Sequence, residues 1–251
     1  MSALHPGAPV LAIEGARATL TLSRPGEHNR IDPADVAVMR AHLAAAASSP
    51  GVRVLVITGA GRRTFCSGYT LEAIVAHLHD GTFEAMLDEL ERCPLPTIAA
   101  LNGSVYGGGC DLAMCCDWRI GVAGTRMFVP ASRIGLAYYP GGLRRFATRL
   151  GPAAAKKVFL TSMPLPAEEM LRIGYLQDLV APRELAATVD RYVQALEAAD
   201  ADAVASMKRS IDRLAGGDFG ERAAREDYER TLRSGELRRR LAALRGGQAG
   251  N

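Results

Sequence analysis

The fold of this 251-residue chain turns on one stretch, Thr97-Ile98-Ala99-Ala100-Leu101-Asn102-Gly103-Ser104-Val105-Tyr106-Gly107-Gly108-Gly109-Cys110-Asp111-Leu112-Ala113-Met114-Cys115-Cys116. An apolar run from Thr97 to Leu101 passes through Asn102-Gly103 and a triple glycine into a second apolar run, Leu112 to Cys116. The order predicts strand, glycine turn, helix. Glycine suits such a turn because the chain bends sharply without a Cβ penalty and nothing shields the backbone amide from a ligand. A helix opening on the turn adds a dipole whose positive end favours an oxyanion. Taken alone, the triple glycine is equally well read as a tight strand-to-helix turn and nothing more.

Outward from this stretch, the β-branched run Val52 to Thr58 suits a buried strand and leads to a second glycine segment, Thr64-Phe65-Cys66-Ser67-Gly68-Tyr69. Val10 to Leu22 alternates like two short strands around Gly15, ended by Arg24-Pro25-Gly26. Asp32-Pro33 places a capping residue before a Pro at the first helical position, which predicts a helix to about Ser48. Strands alternating with helices imply an α/β layout. No internal repeat stands out.

A formal net charge of +3 over 30 Lys/Arg and 27 Asp/Glu gives no global basic field of the kind nucleic-acid binders use. Apolar runs are too short to span a bilayer, and the N-terminus lacks the pattern of a secretory signal, so neither nucleic acid nor membrane is an expected partner and a cytoplasmic location is expected. The five cysteines suit reduced thiols, and no His lies near Cys110, Cys115 and Cys116, so no metal site is expected. No His falls within either glycine segment, which argues against Cys66, Ser67 or Cys110 as a nucleophile.

With Leu95-Pro96 before the second turn, the two glycine segments resemble the two signature regions of the crotonase (enoyl-CoA hydratase/isomerase) family in order and spacing. Further matches are Leu22-Ser23-Arg24-Pro25 with Asn29, Cys116-Asp117-Trp118-Arg119-Ile120, and Gly174-Tyr175-Leu176-Gln177-Asp178-Leu179-Val180. The resemblance covers about residues 10 to 215. It implies a spiral core of ββα turns over residues 1–181 and a helical C-terminal oligomerisation region over 182–251, assembled as a homotrimer or dimer of trimers. It also implies an acyl-CoA thioester substrate, with coenzyme A as part of the substrate and no separate cofactor. The N–H groups of Tyr69 and Gly108 would form an oxyanion hole, flanked by Ser67, Gly68 and Gly107. The Tyr69 side chain would line the acyl pocket. Arg24, Arg62 and Arg63 are the candidates to meet the CoA phosphates.

Hydratases of this family use two glutamates, one three residues after the middle glycine and one after a later Pro. Those positions hold Asp111 and Ala131, and no carboxylate occurs from Phe128 to Arg144. Moving a proton needs a titratable group within hydrogen-bond reach, which Ala131 lacks. Asp111 is read either as a base that orients water or as a helix N-terminal carboxylate satisfying backbone amides. The run Arg133-Ile134-Gly135-Leu136-Ala137-Tyr138 is similar to methylmalonyl-CoA decarboxylase-like members, in which a Tyr takes this place. Tyr138 would then orient a substrate carboxylate, and Tyr138 and Tyr139 are otherwise pocket-wall aromatics. Three readings stay open: a hydratase/isomerase-like enolate enzyme without the second glutamate, a decarboxylase of malonyl-type thioesters, and a non-catalytic acyl-CoA-binding protein.

Overall fold

The structure is a computed structural model and describes residues 5–77, 80–217 and 220–248. Strands β1 (Val10–Glu14) and β2 (Arg17–Leu22) pair antiparallel around Gly15. β2 alternates, burying Ala18, Leu20 and Leu22 on one face. Strands β3 (Val54–Gly59), β5 (Thr97–Leu101), β7 (Trp118–Val122) and β10 (Asp178–Val180) add in parallel, giving a six-stranded sheet in the order β1-β2-β3-β5-β7-β10. Its central strands are covered on both faces, which is why they read as unbroken apolar runs rather than alternating ones.

A second sheet is built from much shorter strands: β4 (Thr64–Cys66), β6 (Ser104–Tyr106), β8 (Arg126–Phe128) and β9 (Leu165–Pro166), in that order. The chain climbs in turns of long strand, short strand, helix. β3 and β4 lead to α2 (Leu71–His77) and α3 (Thr82–Glu91), β5 and β6 to α4 (Gly108–Cys115), and β7 and β8 to α5 (Pro140–Leu150). A first, reduced turn runs from β2 to α1 (Pro33–Ser48), with Ile31 making a single parallel bridge to Tyr69. The predicted strand, glycine turn and helix at residues 97–116 therefore contains an extra strand, β6. Three residues are too few to carry a periodic signal.

One core lies between the six-stranded sheet and α1, α3 and α4, with Leu55, Ile57, Ala99 and Leu101 pointing into it. After α6 (Pro152–Thr161) and α7 (Ala167–Arg172), the helices α8 (Leu185–Ala198), α9 (Ala201–Ala215), α10 (Glu221–Leu232) and α11 (Gly235–Gln248) follow β10. Val189 and Val193 of α8 cover the opposite face of the sheet, over Val54, Val56, Ile98, Ala100 and Ile120. α9 is tied down by Lys208, whose ammonium meets the Asp117 carboxylate. Asp117 in turn accepts the Thr97 N–H at 2.7 Å.

Candidate active site

The parallel pairing of β4 with β6 sets the two glycine segments side by side. Gly68 has φ +89°, and a Cβ there would stand 2.6 Å from the Gly108 nitrogen. A Cβ on Gly108 would stand 3.5 Å from the Tyr69 nitrogen and 3.0 Å from the Phe83 ring. Only glycine lets these two backbone segments approach so closely. The Ile31 N–H donates to Gly68 O at 2.8 Å and the Thr70 N–H to Ile31 O at 3.0 Å. In a parallel bridge this turns the Tyr69 N–H away from Ile31. Gly108 opens α4, where the first N–H groups have no partner within the helix. Among the described residues neither amide has an acceptor, so two adjacent donors stand unspent at a helix N-terminus. The Tyr69 side chain is buried, its ring 5.0 Å from that of Phe83.

Asp111 lies three residues along α4 from Gly108, on the same helical face. It is fully buried. Its Oδ1 accepts from Arg145 Nε at 2.9 Å and its Oδ2 from Arg145 Nη2 at 2.8 Å, while the Tyr139 hydroxyl donates to Oδ2 as well. The carboxylate is therefore spent on side chains of the α5 region, and no backbone amide is among its partners in the described residues. Arg145 is itself fully buried and donates further to Asp88 Oδ1 at 2.8 Å and Glu91 Oε2 at 3.2 Å. Burial works against the guanidinium's charge, but the hydrogen bond to Asp111 and the surrounding carboxylates outweigh it and raise its pKa.

Helix α3 forms the spine of this arrangement. Phe83 reaches the glycine amides, and Glu84, Asp88 and Glu91 recur at i, i+4 and i+7 along the face toward α5. Glu84 Oε1 accepts the Gly141 N–H at 3.1 Å near the start of α5. The sequence reading missed Phe83, Glu84, Asp88, Glu91 and Arg145. The carboxylate spacing on α3 and the Arg144-Arg145 pair were its only signals.

Tyr138 and Tyr139 lie just before α5, their rings stacked at 4.5 Å. A Cβ on Gly142 would fall 2.4 Å from the Tyr138 ring, so this glycine makes the seat for that ring. Burial pushes both phenols well above their ordinary range, helped by the Asp111 charge; the neighbouring phenol adds to this at Tyr139, whereas at Tyr138 the hydrogen bond from Tyr139 works against it. Burial also pushes the Cys66 thiol up to about 12 and that of Cys110 higher, which removes both as thiolate nucleophiles at neutral pH.

The remaining sequence-expected residues fall in different settings. The Arg24 guanidinium is engaged by Asp35 and lies 3.5 Å from Asp32, so its charge is spent at the start of α1 rather than offered to a ligand. Arg62 and Arg63 are exposed in the turn between β3 and β4, with no carboxylate partner among the described residues. Ser67 and Gly107 sit at the crossing of the glycine segments, with Ser67 O 3.5 Å from a Cβ placed on Gly107. Ala131 is buried at the head of a 3-10 turn over Ala131–Ile134, where it offers no titratable group. Among the described residues there is no group of three or more His, Cys, Asp or Glu arranged to hold a metal ion. No helix of the described residues is long and apolar enough to cross a membrane.

Residues 13–234 match the family described as enoyl-CoA hydratase/isomerase. The chain is 32% identical to a crotonyl-CoA hydratase from Syntrophomonas wolfei over 182 residues, 70% of each protein. It is 33% identical to a carnitinyl-CoA dehydratase from Salmonella arizonae over 231 residues, covering 90% of this chain and 85% of that one. Among solved structures, an enoyl-CoA hydratase/carnithine racemase from Magnetospirillum magneticum superposes with a TM-score of 0.88 at 25% identity, covering 96% of this chain and 93% of that one.

Proposed function

The chain belongs to the enoyl-CoA hydratase/isomerase family, and from that premise we propose that it binds an acyl-CoA thioester and stabilises its enolate between the Tyr69 and Gly108 N–H groups. The observation that carries this reading is the pair of adjacent, unspent amides at the N-terminus of α4. Deprotonation, addition and decarboxylation beside a thioester all place negative charge on its oxygen, and each preorganised donor is worth roughly 3 kcal/mol of barrier. Coenzyme A enters as part of the substrate, and the reading requires no other cofactor. Exposed Arg62 and Arg63 are the side chains offered to its phosphates. The free, buried cysteines suit a reducing compartment such as the cytoplasm.

Two-carboxylate hydration is not the chemistry this reading assigns, because Ala131 carries no proton and Asp111 is held by Arg145. The same observation favours decarboxylation of a malonyl-type thioester as a second reading. There the C–CO₂ bond breaks, its electrons pass into the thioester to form the enolate, and CO₂ leaves. The Tyr138 hydroxyl protonates the α-carbon and recovers its proton from water.

A thermal-shift series with coenzyme A, crotonyl-CoA and methylmalonyl-CoA, followed by mass spectrometry of products, tests the proposal. Stabilisation by the thioesters with turnover of either one supports an enolate enzyme. Stabilisation without product supports a binding protein that kept the fold. No stabilisation by any of the three sinks the proposal.

A further inference from the structure

Asp111 stands where this reading would look for a base, yet its acceptor sites are nearly full. A carboxylate offers about four lone-pair sites. Three are taken, two by Arg145 and one by the Tyr139 hydroxyl. To accept a substrate proton it would have to release one of these donors, and the most tightly fixed of them, Arg145, is buried and tied to Asp88 and Glu91 on α3.

The two tyrosines are not equivalent in this network. Tyr139 has one proton and spends it on Asp111, so it has none for a substrate. Tyr138 Oη lies 3.5 Å from Tyr139 Oη, too far for a strong hydrogen bond. Among the described residues no closer acceptor meets the Tyr138 hydroxyl. Its ring is held by stacking on Tyr139, by Phe159 at 4.7 Å, and by the seat at Gly142.

We infer that Asp111 is a positioning residue rather than a base: clamped by Arg145, it fixes the Tyr139 hydroxyl, and Tyr139 in turn sets the ring of Tyr138, whose hydroxyl is left as the proton-bearing group of the site. The inference rests on the enolate reading above. It also gives the Arg145 charge a second consequence, since pairing it with Asp111 cancels the negative charge that would otherwise repel an anionic acyl group. A phenol is protonated at neutral pH even at its ordinary pKa of about 10, so the Tyr138 hydroxyl has a proton to give.

The test is the kinetics of Asp111→Asn, Tyr139→Phe, the double variant and Tyr138→Phe on crotonyl-CoA and methylmalonyl-CoA, with kcat and KM followed from the carboxylate range to neutral pH. Each of the first two is expected to lower kcat by up to about 10²-fold with little change in KM, as for a misplaced reacting group. The double variant should be no worse than the more impaired single one, because both act through the same hydroxyl. Tyr138→Phe should lose roughly 10²- to 10⁴-fold. Additive losses in the double variant overturn the inference, as does an acid limb in wild-type kcat/KM that disappears in Asp111→Asn. Should Asp111→Asn not fold, Tyr139→Phe decides alone, since it leaves the Asp111–Arg145 pair intact. Unchanged or faster turnover in that variant overturns the inference. Turnover of neither thioester by the wild type also overturns it, and crotonyl-CoA binding in the same preparation shows whether the thioester reading has failed with it.

Discussion

At Gly108 a single methyl group decides whether the two amides keep their places. Gly108→Ala puts that methyl 3.0 Å from the Phe83 ring, so the ring or the helix start must give way. We expect kcat to fall roughly 10²- to 10³-fold while the thermal shift with acyl-CoA persists, measured side by side with the wild type. At Arg145 the expected effect is on stability instead. Arg145→Met strands Asp111 as a buried unpaired carboxylate, which should cost about 3–5 kcal/mol. The double variant Asp111→Leu with Arg145→Met should recover much of that loss, and urea unfolding midpoints of the three proteins check it. The glycines were legible in the sequence because a sharp turn and a bare amide mark the residue type itself, although the close approach of Gly68 to Gly108 is tertiary. Arg24 was not, since nothing in Leu22-Ser23-Arg24-Pro25 tells that its guanidinium is taken up by Asp35.

At the scale of elements, the docking of α9 depends on Lys208 reaching Asp117, with Asp212 of the same helix 3.4 Å away. Burial works against the ammonium's charge, but the Asp117 charge outweighs it and raises its pKa above the usual 10.5. A folded-state pKa above the unfolded value of about 10.4 gives a contribution that is full below about pH 10. It fades as pH rises through the folded value. Hydrogen exchange should therefore show α9 loosening in strong alkali before the central strands, and Lys208→Met should remove that pH dependence. If α9 exchanges identically in both proteins, Lys208 does not hold it. Helix α1 began where the sequence placed it, because Asp32 and Pro33 act on their own immediate backbone, and the Asp32 N–H donates back to Asp35 Oδ2 at 2.8 Å. The short strands of the second sheet were not legible, because three residues of strand depend on their neighbours rather than on any pattern of their own.

For the whole molecule, Met207, Ile211 and Leu214 leave an apolar stripe exposed along α9, at i, i+4 and i+7, with Tyr228 and Leu232 exposed on α10. The family resemblance implies a trimer-based assembly, and these helices are where a second copy would find apolar surface. We expect light scattering at micromolar concentration to give a trimer or a multiple of it, and Ile211→Asp to shift the mass toward a monomer. A wild-type monomer would count against this expectation. The sequence by itself determined the α/β class, the buried strands at Val54–Gly59 and Thr97–Leu101, and the existence of the two glycine turns, since each rests on interactions within a few residues of chain, while the meeting of their amides is the work of the β4–β6 pairing. The ββα climb was reached through the family resemblance rather than from any pattern in the residues, and only the tertiary structure decided the fate of Asp111. The climb repeats a backbone path without repeating side chains, so it leaves no periodic mark in the sequence. Asp111 meets its partner 34 residues away, and Arg145 meets Asp88 across 57. A sequence shows that these groups are charged, but packing of α3, α4 and α5 selects which of them share a buried space, and there the low dielectric makes that pairing decisive.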